Sequence, residues 1–203
     1  KGLLNGYLGK IRHNKPPVRS LYHNRWQKAK HTGGYSLLFY KLMGWKIQGF
    51  MDPTISKSVI VVVPHTSWHD FYIGLLARGI IDLEMNYVGK KELFVFPFHY
   101  YFKWMGGAPL DRTSNKNTVE SISAIFRERE IFRLAISPEG TRKKVLEWKT
   151  GFYYIALNSN VPIIPVVFDY ENKKVILHNE FYPTGNREDD FDFLKKYFKG
   201  IKG

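Results

Sequence analysis

Val59-Ile60-Val61-Val62-Val63-Pro64-His65-Thr66-Ser67-Trp68-His69-Asp70 is the stretch from which the fold can be read. Its bounded run of β-branched residues fits a strand buried on both faces of a parallel sheet. Pro64 has no N–H for a ladder bond, so the strand ends there. Thr66 and Ser67 are good N-caps for a helix running on through Phe71, Ile73, Leu75 and Leu76. In an open α/β sheet, ligands bind at the carboxyl ends of the strands. A His and an Asp at that edge can act as a base and its orienter. Asp70 would accept a hydrogen bond from one imidazole nitrogen of His65, leaving the other to take a proton from an incoming hydroxyl. This is the His-Asp half of a triad without its serine. In a chain with 7 His the spacing arises readily by chance, so its weight lies in its place between strand end and helix start. His65, His69 and Asp70 could also hold zinc or iron. However, Pro64 and the Thr-Ser cap put His65 ahead of the helix, so the two rings share no face and no metal is expected.

Outward from this stretch, strands and helices alternate. Residues 35–44 read as a short helix ending at Gly44, and 45–50 as a first strand. Residues 59–63 form the strand just described, 68–80 the helix after it and 85–88 another strand. Residues 90–102 are aromatic and read as helical, with Pro97 inside. Residues 106–110 form an extended or turn segment. Val119, Ile122, Ile125 and Phe126 have helical spacing, predicting a helix from Thr113 or Ser114 to Glu130, capped by Ser114 or Asn115. Residues 131–136, 163–168 and 174–177 read as strands, and 151–157 and 189–198 as helices. The expectation is an α/β fold with a largely parallel central sheet flanked by helices. One domain spans 47–203, behind a basic, aromatic and partly helical N-terminal extension over 1–46.

At 203 residues, 44% hydrophobic and 16% aromatic, the chain can bury a core and is not a disordered protein. It has no cysteine, which excludes disulfides and a thiolate nucleophile and is compatible with a reducing compartment. The net charge is +13, and no Asp or Glu precedes Asp52. Such a region is attracted to lipid headgroups, nucleic acid or phosphorylated substrates; the plain alternative is a solvated basic face. No apolar run reaches the ~20 residues of a membrane-spanning helix, and residues 1–20 lack the apolar core of a signal peptide. If a membrane is the partner, the chain is expected to lie on its surface and not to cross it.

Two further blocks carry chemistry. In Gly106-Gly107-Ala108-Pro109-Leu110-Asp111-Arg112, glycines would let the backbone approach a ligand and Arg112 offers a fork for phosphate or carboxylate, unless this is only a tight turn. Pro138-Glu139-Gly140-Thr141-Arg142 follows a buried strand on the same sheet edge as His65 and supplies a carboxylate and a second guanidinium. Two arginines near one base fit a substrate with a phosphate beside a hydroxyl. No phosphate-cradling glycine loop of the nucleotide type is present.

Four blocks thus stand in order: His65-x4-Asp70, Gly107-x3-Asp111-Arg112, Pro138-Glu139-Gly140-Thr141-Arg142 and Val161-Pro162-Ile163-Ile164-Pro165-Val166. Their order and intervals resemble the glycerolipid acyltransferase family, best known for its 1-acyl-glycerol-3-phosphate (lysophosphatidic acid) acyltransferases. Lys91-Glu-Leu-Phe-Val-Phe-Pro97 and Lys149-Thr-Gly151 are also similar to the family pattern, and the resemblance covers residues 35–168. It implies a single acyltransferase domain in which His65 is the general base and Asp70 its orienter. The acceptor hydroxyl of a lysophospholipid would attack an acyl thioester of coenzyme A or acyl carrier protein directly, without an acyl-enzyme, metal or redox cofactor. Arg112 and Arg142 would hold the acceptor phosphate, and Gly107, Glu139, Gly140 and Thr141 would shape its site. Val161–Val166 would line the core near the acyl channel. The implied partners are an anionic membrane surface and, as one donor, acyl carrier protein, with no nucleic acid. The implied location is cytoplasmic, peripheral on the inner membrane. The family often carries Asn before the His, where this chain has Pro64, and Phe at the start of the third block, where it has Ser137. These departures leave the acceptor open to another lysolipid or a related hydroxyl or amine. Two readings of another class compete: a non-catalytic basic module for anionic lipid or nucleic acid, and a phosphate-ester hydrolase using the same residues.

Overall fold

The computed structural model describes residues 37–64, 69–90, 95–96, 99–100, 106–110, 118–139 and 148–201. A π-helical turn (Leu37–Leu42) precedes β1 (Lys46–Gly49) and β2 (Lys57–Val63). Then come α1 (His69–Ile81), β3 (Asn86–Lys90), β4 (Gly107–Leu110) and α2 (Thr118–Glu128). β5 (Phe132–Ile136), α3 (Gly151–Ser159), β6 (Ile163–Asp169), β7 (Lys174–Leu177) and α4 (Arg187–Lys196) follow. The short helix expected over 35–44 is a single π turn, with Met43 N–H bonded to the Leu38 carbonyl at 3.1 Å. It stops where Gly44 takes φ +70°. Most of the aromatic segment 90–102, the caps Ser114 and Asn115, and the basic extension up to residue 36 lie outside the described residues.

The strands form one sheet in the order β1-β7-β6-β2-β5-β3-β4. Every neighbouring pair is parallel except β6 and β7. The largely parallel α/β sheet read from the sequence is therefore the one that forms. The exception has a simple cause: the few residues between β6 and β7 make a hairpin, far too short for a parallel crossover. Asp169 shapes that turn, its carboxylate accepting the Asn172 backbone N–H at 3.0 Å and side-chain amide at 2.8 Å. Burial pushes the Asp169 carboxyl up, but these bonds and Lys174 outweigh it and hold it below the usual carboxylate value.

The central strands are apolar on both sides because both sides are covered. Val59, Val61 and Val63 pack with Phe126 of α2, Phe152 and Ile155 of α3 and Leu194 of α4. Ile60 turns the other way, with Ile164, Val166 and Phe168 of β6, to meet Ile73, Ala77 and Ile80 of α1 and Trp45. Pro165 sits inside β6, where a missing N–H would normally break the ladder. Its carbonyl accepts from the His178 N–H at 3.0 Å, just past the end of β7. Pairing resumes at Ile163 with Phe181, one residue out of the β6–β7 register, so the absent N–H falls at an irregularity in the ladder.

Two buried polar residues fasten the periphery. Arg133 of β5 donates to the carbonyls of Ile55 at 2.8 Å, Pro53 at 3.0 Å and Glu84 at 3.4 Å. Burial pulls its guanidinium below its ordinary value, against the raising effect of Glu84. Asp190 of α4 accepts from the Tyr153 hydroxyl and from the N–H and hydroxyl of Thr184, each at 2.8 Å. This clamps the last helix to α3.

Candidate active site

Strands β6, β2, β5, β3 and β4 run the same way, so their carboxyl ends share one edge of the sheet. Two of the sequence blocks leave the sheet there, at Pro64 after β2 and at Ser137 to Glu139 after β5; Tyr170, which belongs to none of them, leaves it after β6. Pro64 ends the strand as expected. His65 follows it directly in the chain and lies outside the described residues, as do Arg112, Gly140, Thr141 and Arg142.

Asp70 is the second residue of α1 and only 3% exposed. A carboxylate so buried needs hydrogen-bond partners, and Tyr170 supplies one: its hydroxyl donates to Asp70 Oδ1. Burial raises the Tyr170 pKa, and the hydrogen bond to Asp70 and that carboxylate's charge raise it further. The phenol thus stays protonated and stays a donor. Trp45 meets the Tyr170 ring edge-on, at 5.2 Å between centroids and 89° between planes. His69, the neighbour of Asp70, is exposed at the helix start. Glu139 is half-buried in the turn after β5.

Gly107 is placed elsewhere. It opens β4 in register with Tyr87, at the amino end of that strand and away from the carboxyl edge. The glycine beside it explains the pair. Gly106 has φ +88°, and a Cβ there would lie 2.5 Å from the Met85 carbonyl oxygen. Its own carbonyl accepts the Tyr87 N–H at 3.0 Å. The close approach that Gly106 permits is therefore to Met85, just ahead of β3.

Beside Asp70 a cavity of about 260 Å³ lies between α1 and the sheet. Ile60, Gly74, Ala77, Val166 and Phe168 give it apolar walls. Its polar lining includes Asp70 and Ser137 at the carboxyl edge and Arg78 and Asn86 toward the far end. Asp70 and Arg78 are eight residues apart on one helix, about 12 Å along its axis. Ligand pockets usually start at roughly 300 Å³, so this cavity, small and mostly apolar in its lining, has room for part of an apolar chain. Of the block 161–166, Val166 lines it.

Sequence reasoning missed both Tyr170 and the cavity. The one local signal for Tyr170 was its position, immediately past the carboxyl end of a fully buried strand. Nothing local pairs it with Asp70, 100 residues earlier.

A family model described as acyltransferase matches residues 46–169. The chain is 30% identical over 165 residues to the 1-acyl-sn-glycerol-3-phosphate acyltransferase of Escherichia coli (strain K12), covering 75% of this chain and 65% of that protein. It is 36% identical over 145 residues to the enzyme of the same name from Haemophilus influenzae, covering 68% of this chain and 60% of that one. The chain thus spans less than two thirds of the length of these curated relatives. Its fold matches the crystal structure of the 1-acyl-sn-glycerophosphate (LPA) acyltransferase PlsC from Thermotoga maritima with a TM-score of 0.54 and 19% identity. That match covers 91% of this chain and 85% of the other, and it speaks for the fold.

Proposed function

The chain belongs to the acyltransferase family, and from that premise we propose that it moves a fatty acyl group from an acyl thioester to the free hydroxyl of 1-acyl-glycerol-3-phosphate, giving phosphatidic acid for phospholipid synthesis. One observation carries the reading: a buried carboxylate, Asp70, five residues after His65, lines a largely apolar cavity at the carboxyl edge of the sheet. An orienting acid beside a place for an acyl chain is what this reaction needs.

In the proposed step, Asp70 fixes the imidazole of His65, whose other nitrogen takes the proton of the acceptor hydroxyl. The oxygen attacks the thioester carbonyl carbon. The tetrahedral adduct collapses, the C–S bond breaks, and the thiolate recovers the proton from the imidazolium. Atoms balance with no acyl-enzyme, and the step calls for no metal or redox cofactor. Arg112 and Arg142 hold the acceptor phosphate, with Glu139, Gly140 and Thr141 around it. The donor is acyl-coenzyme A or acyl carrier protein. Among the described residues no helix is long and apolar enough to cross a membrane. The basic extension over residues 1–46, free of acidic residues, docks on anionic lipid, where each Lys or Arg near the surface contributes about 1 kcal/mol.

The test is free-thiol release from acyl-coenzyme A, and in a second arm from acyl carrier protein, with and without 1-acylglycerol-3-phosphate on anionic vesicles. Acceptor-dependent release is expected, falling about 10²–10⁴-fold in His65→Ala, the range general-base catalysis supplies. Equal release in His65→Ala would refute the base. Phosphate release without a thioester donor would point to a hydrolase instead.

A further inference from the structure

We propose that Tyr170 is a positioning residue for catalysis, its hydroxyl setting the orientation of the Asp70 carboxylate and, through it, that of the base. The inference rests on the reading of His65 and Asp70 given above and adds to it a residue that no sequence block contains.

The argument begins with the carboxylate. The last torsion of an aspartate is broad, with no sharp staggered wells to hold it. A carboxylate that orients a histidine must therefore be fixed by its surroundings. Tyr170 does this by engaging Oδ1, which sets the plane of the group and the direction of Oδ2, the oxygen that would receive the imidazole N–H.

The phenol is itself well held. Tyr170 lies in the β6–β7 turn, where the two hydrogen bonds from Asn172 to Asp169 preform the backbone. Trp45, 5% exposed, stands edge-on to its ring and edge-on to Phe168 at 6.5 Å. β6 is the direct neighbour of β2 in the sheet. The end of one strand thus carries the base and the end of the next carries the group that aligns its partner.

The hydroxyl also has no packing purpose. A phenylalanine would fill the same space against Trp45, whereas a phenolic oxygen taken out of water must find a partner. The partner it has is Asp70. Arg78 lies two turns further along α1, lining the far part of the same cavity, whereas Tyr170 bonds directly to the carboxylate.

The test compares Tyr170→Phe, Asp70→Asn, the double variant and His65→Ala. It measures kcat and KM for acceptor-dependent thiol release from acyl-coenzyme A, and Tm for each protein. Tyr170→Phe should lower kcat about 10-fold, part of the roughly 10²–10⁴ that a general base supplies, with KM changed less than about 2-fold. The same change made in Asp70→Asn should cost nothing further, because residues acting as one unit are non-additive. Tm of Tyr170→Phe should stay within a few degrees of the parent. Wild-type kcat in Tyr170→Phe, alongside activity lost in His65→Ala, would overturn the proposal alone. So would losses from Tyr170→Phe and Asp70→Asn that multiply in the double variant. Full activity in His65→Ala would overturn the base assignment and this proposal with it.

Discussion

Replacing Gly74 by leucine should shorten the acyl chain that the protein accepts. Gly74 lines the cavity four residues past Asp70 on α1, about 6 Å along the helix axis. A Cβ there would meet the Phe168 ring at 3.8 Å, an ordinary van der Waals contact. The backbone therefore accepts a side chain, and exchanging glycine for leucine in a helix gains somewhat less than the ~0.8–1.0 kcal/mol that separates glycine from alanine. Loss of activity through unfolding is not expected. The leucine side chain would instead fill the cavity midway between Asp70 and Arg78. Each acyl methylene denied burial forfeits about 0.8 kcal/mol, about fourfold in kcat/KM; three cost about 2.4 kcal/mol, about 60-fold. The assay is kcat/KM over a series of saturated acyl-coenzyme A donors at fixed acceptor. The parent should gain about fourfold per methylene until the cavity is full. In the variant the gain should stop several methylenes earlier, with the shortest donors used about as well as before. Identical length profiles in a folded Gly74→Leu protein would refute the assignment of this cavity to the acyl chain.

Two further predictions concern stability. Tyr153→Phe removes the 2.8 Å bond to Asp190 and should cost about 1–2 kcal/mol by chemical denaturation at neutral pH. Burial, then the bond to Asp190 and its charge, push the Tyr153 hydroxyl from its ordinary 10.0 up to about 12. Its contribution is therefore fully present below about pH 10 and lost as pH rises through about 12, since the folded state holds the proton longer. Across that window the parent should lose stability more steeply than Tyr153→Phe, and parallel curves would contradict the assignment. Arg133→Ala leaves three carbonyls without their shared donor and should lower stability by about 2–4 kcal/mol, read as a lower urea midpoint at unchanged m-value.

Much of the architecture was legible in local pattern. The run 59–63 announced a strand covered on both faces, and Val59, Ile60 and Val61 are all at most 2% exposed. Pro64 marked its end, and the helix behind it was read to within a residue of its observed start and end. Asp70 was legible in its place, in the first turn of that helix at the carboxyl edge of the sheet. The glycines at 106 and 107 were read toward a ligand, whereas Gly106 faces the Met85 carbonyl. Pattern alone tells that a backbone comes close to something, not to what.

The sequence by itself determined the alternation of elements, the edge at which the chemistry-bearing loops leave the sheet, and the order of blocks that identifies the family. The first two follow from hydrophobic period, breakers and caps, all of which act within a few residues, and the third from the resemblance of four short blocks to a known family. Only the tertiary structure decided which strands became neighbours. β6 joined β2, and the β6–β7 hairpin reversed the direction of the sheet beyond it. That lateral order brings the Tyr170 hydroxyl to Asp70 across 100 residues and leaves a cavity between α1 and the sheet. Such contacts depend on register and packing between distant segments. Nothing in the local spacing of residues carries that information.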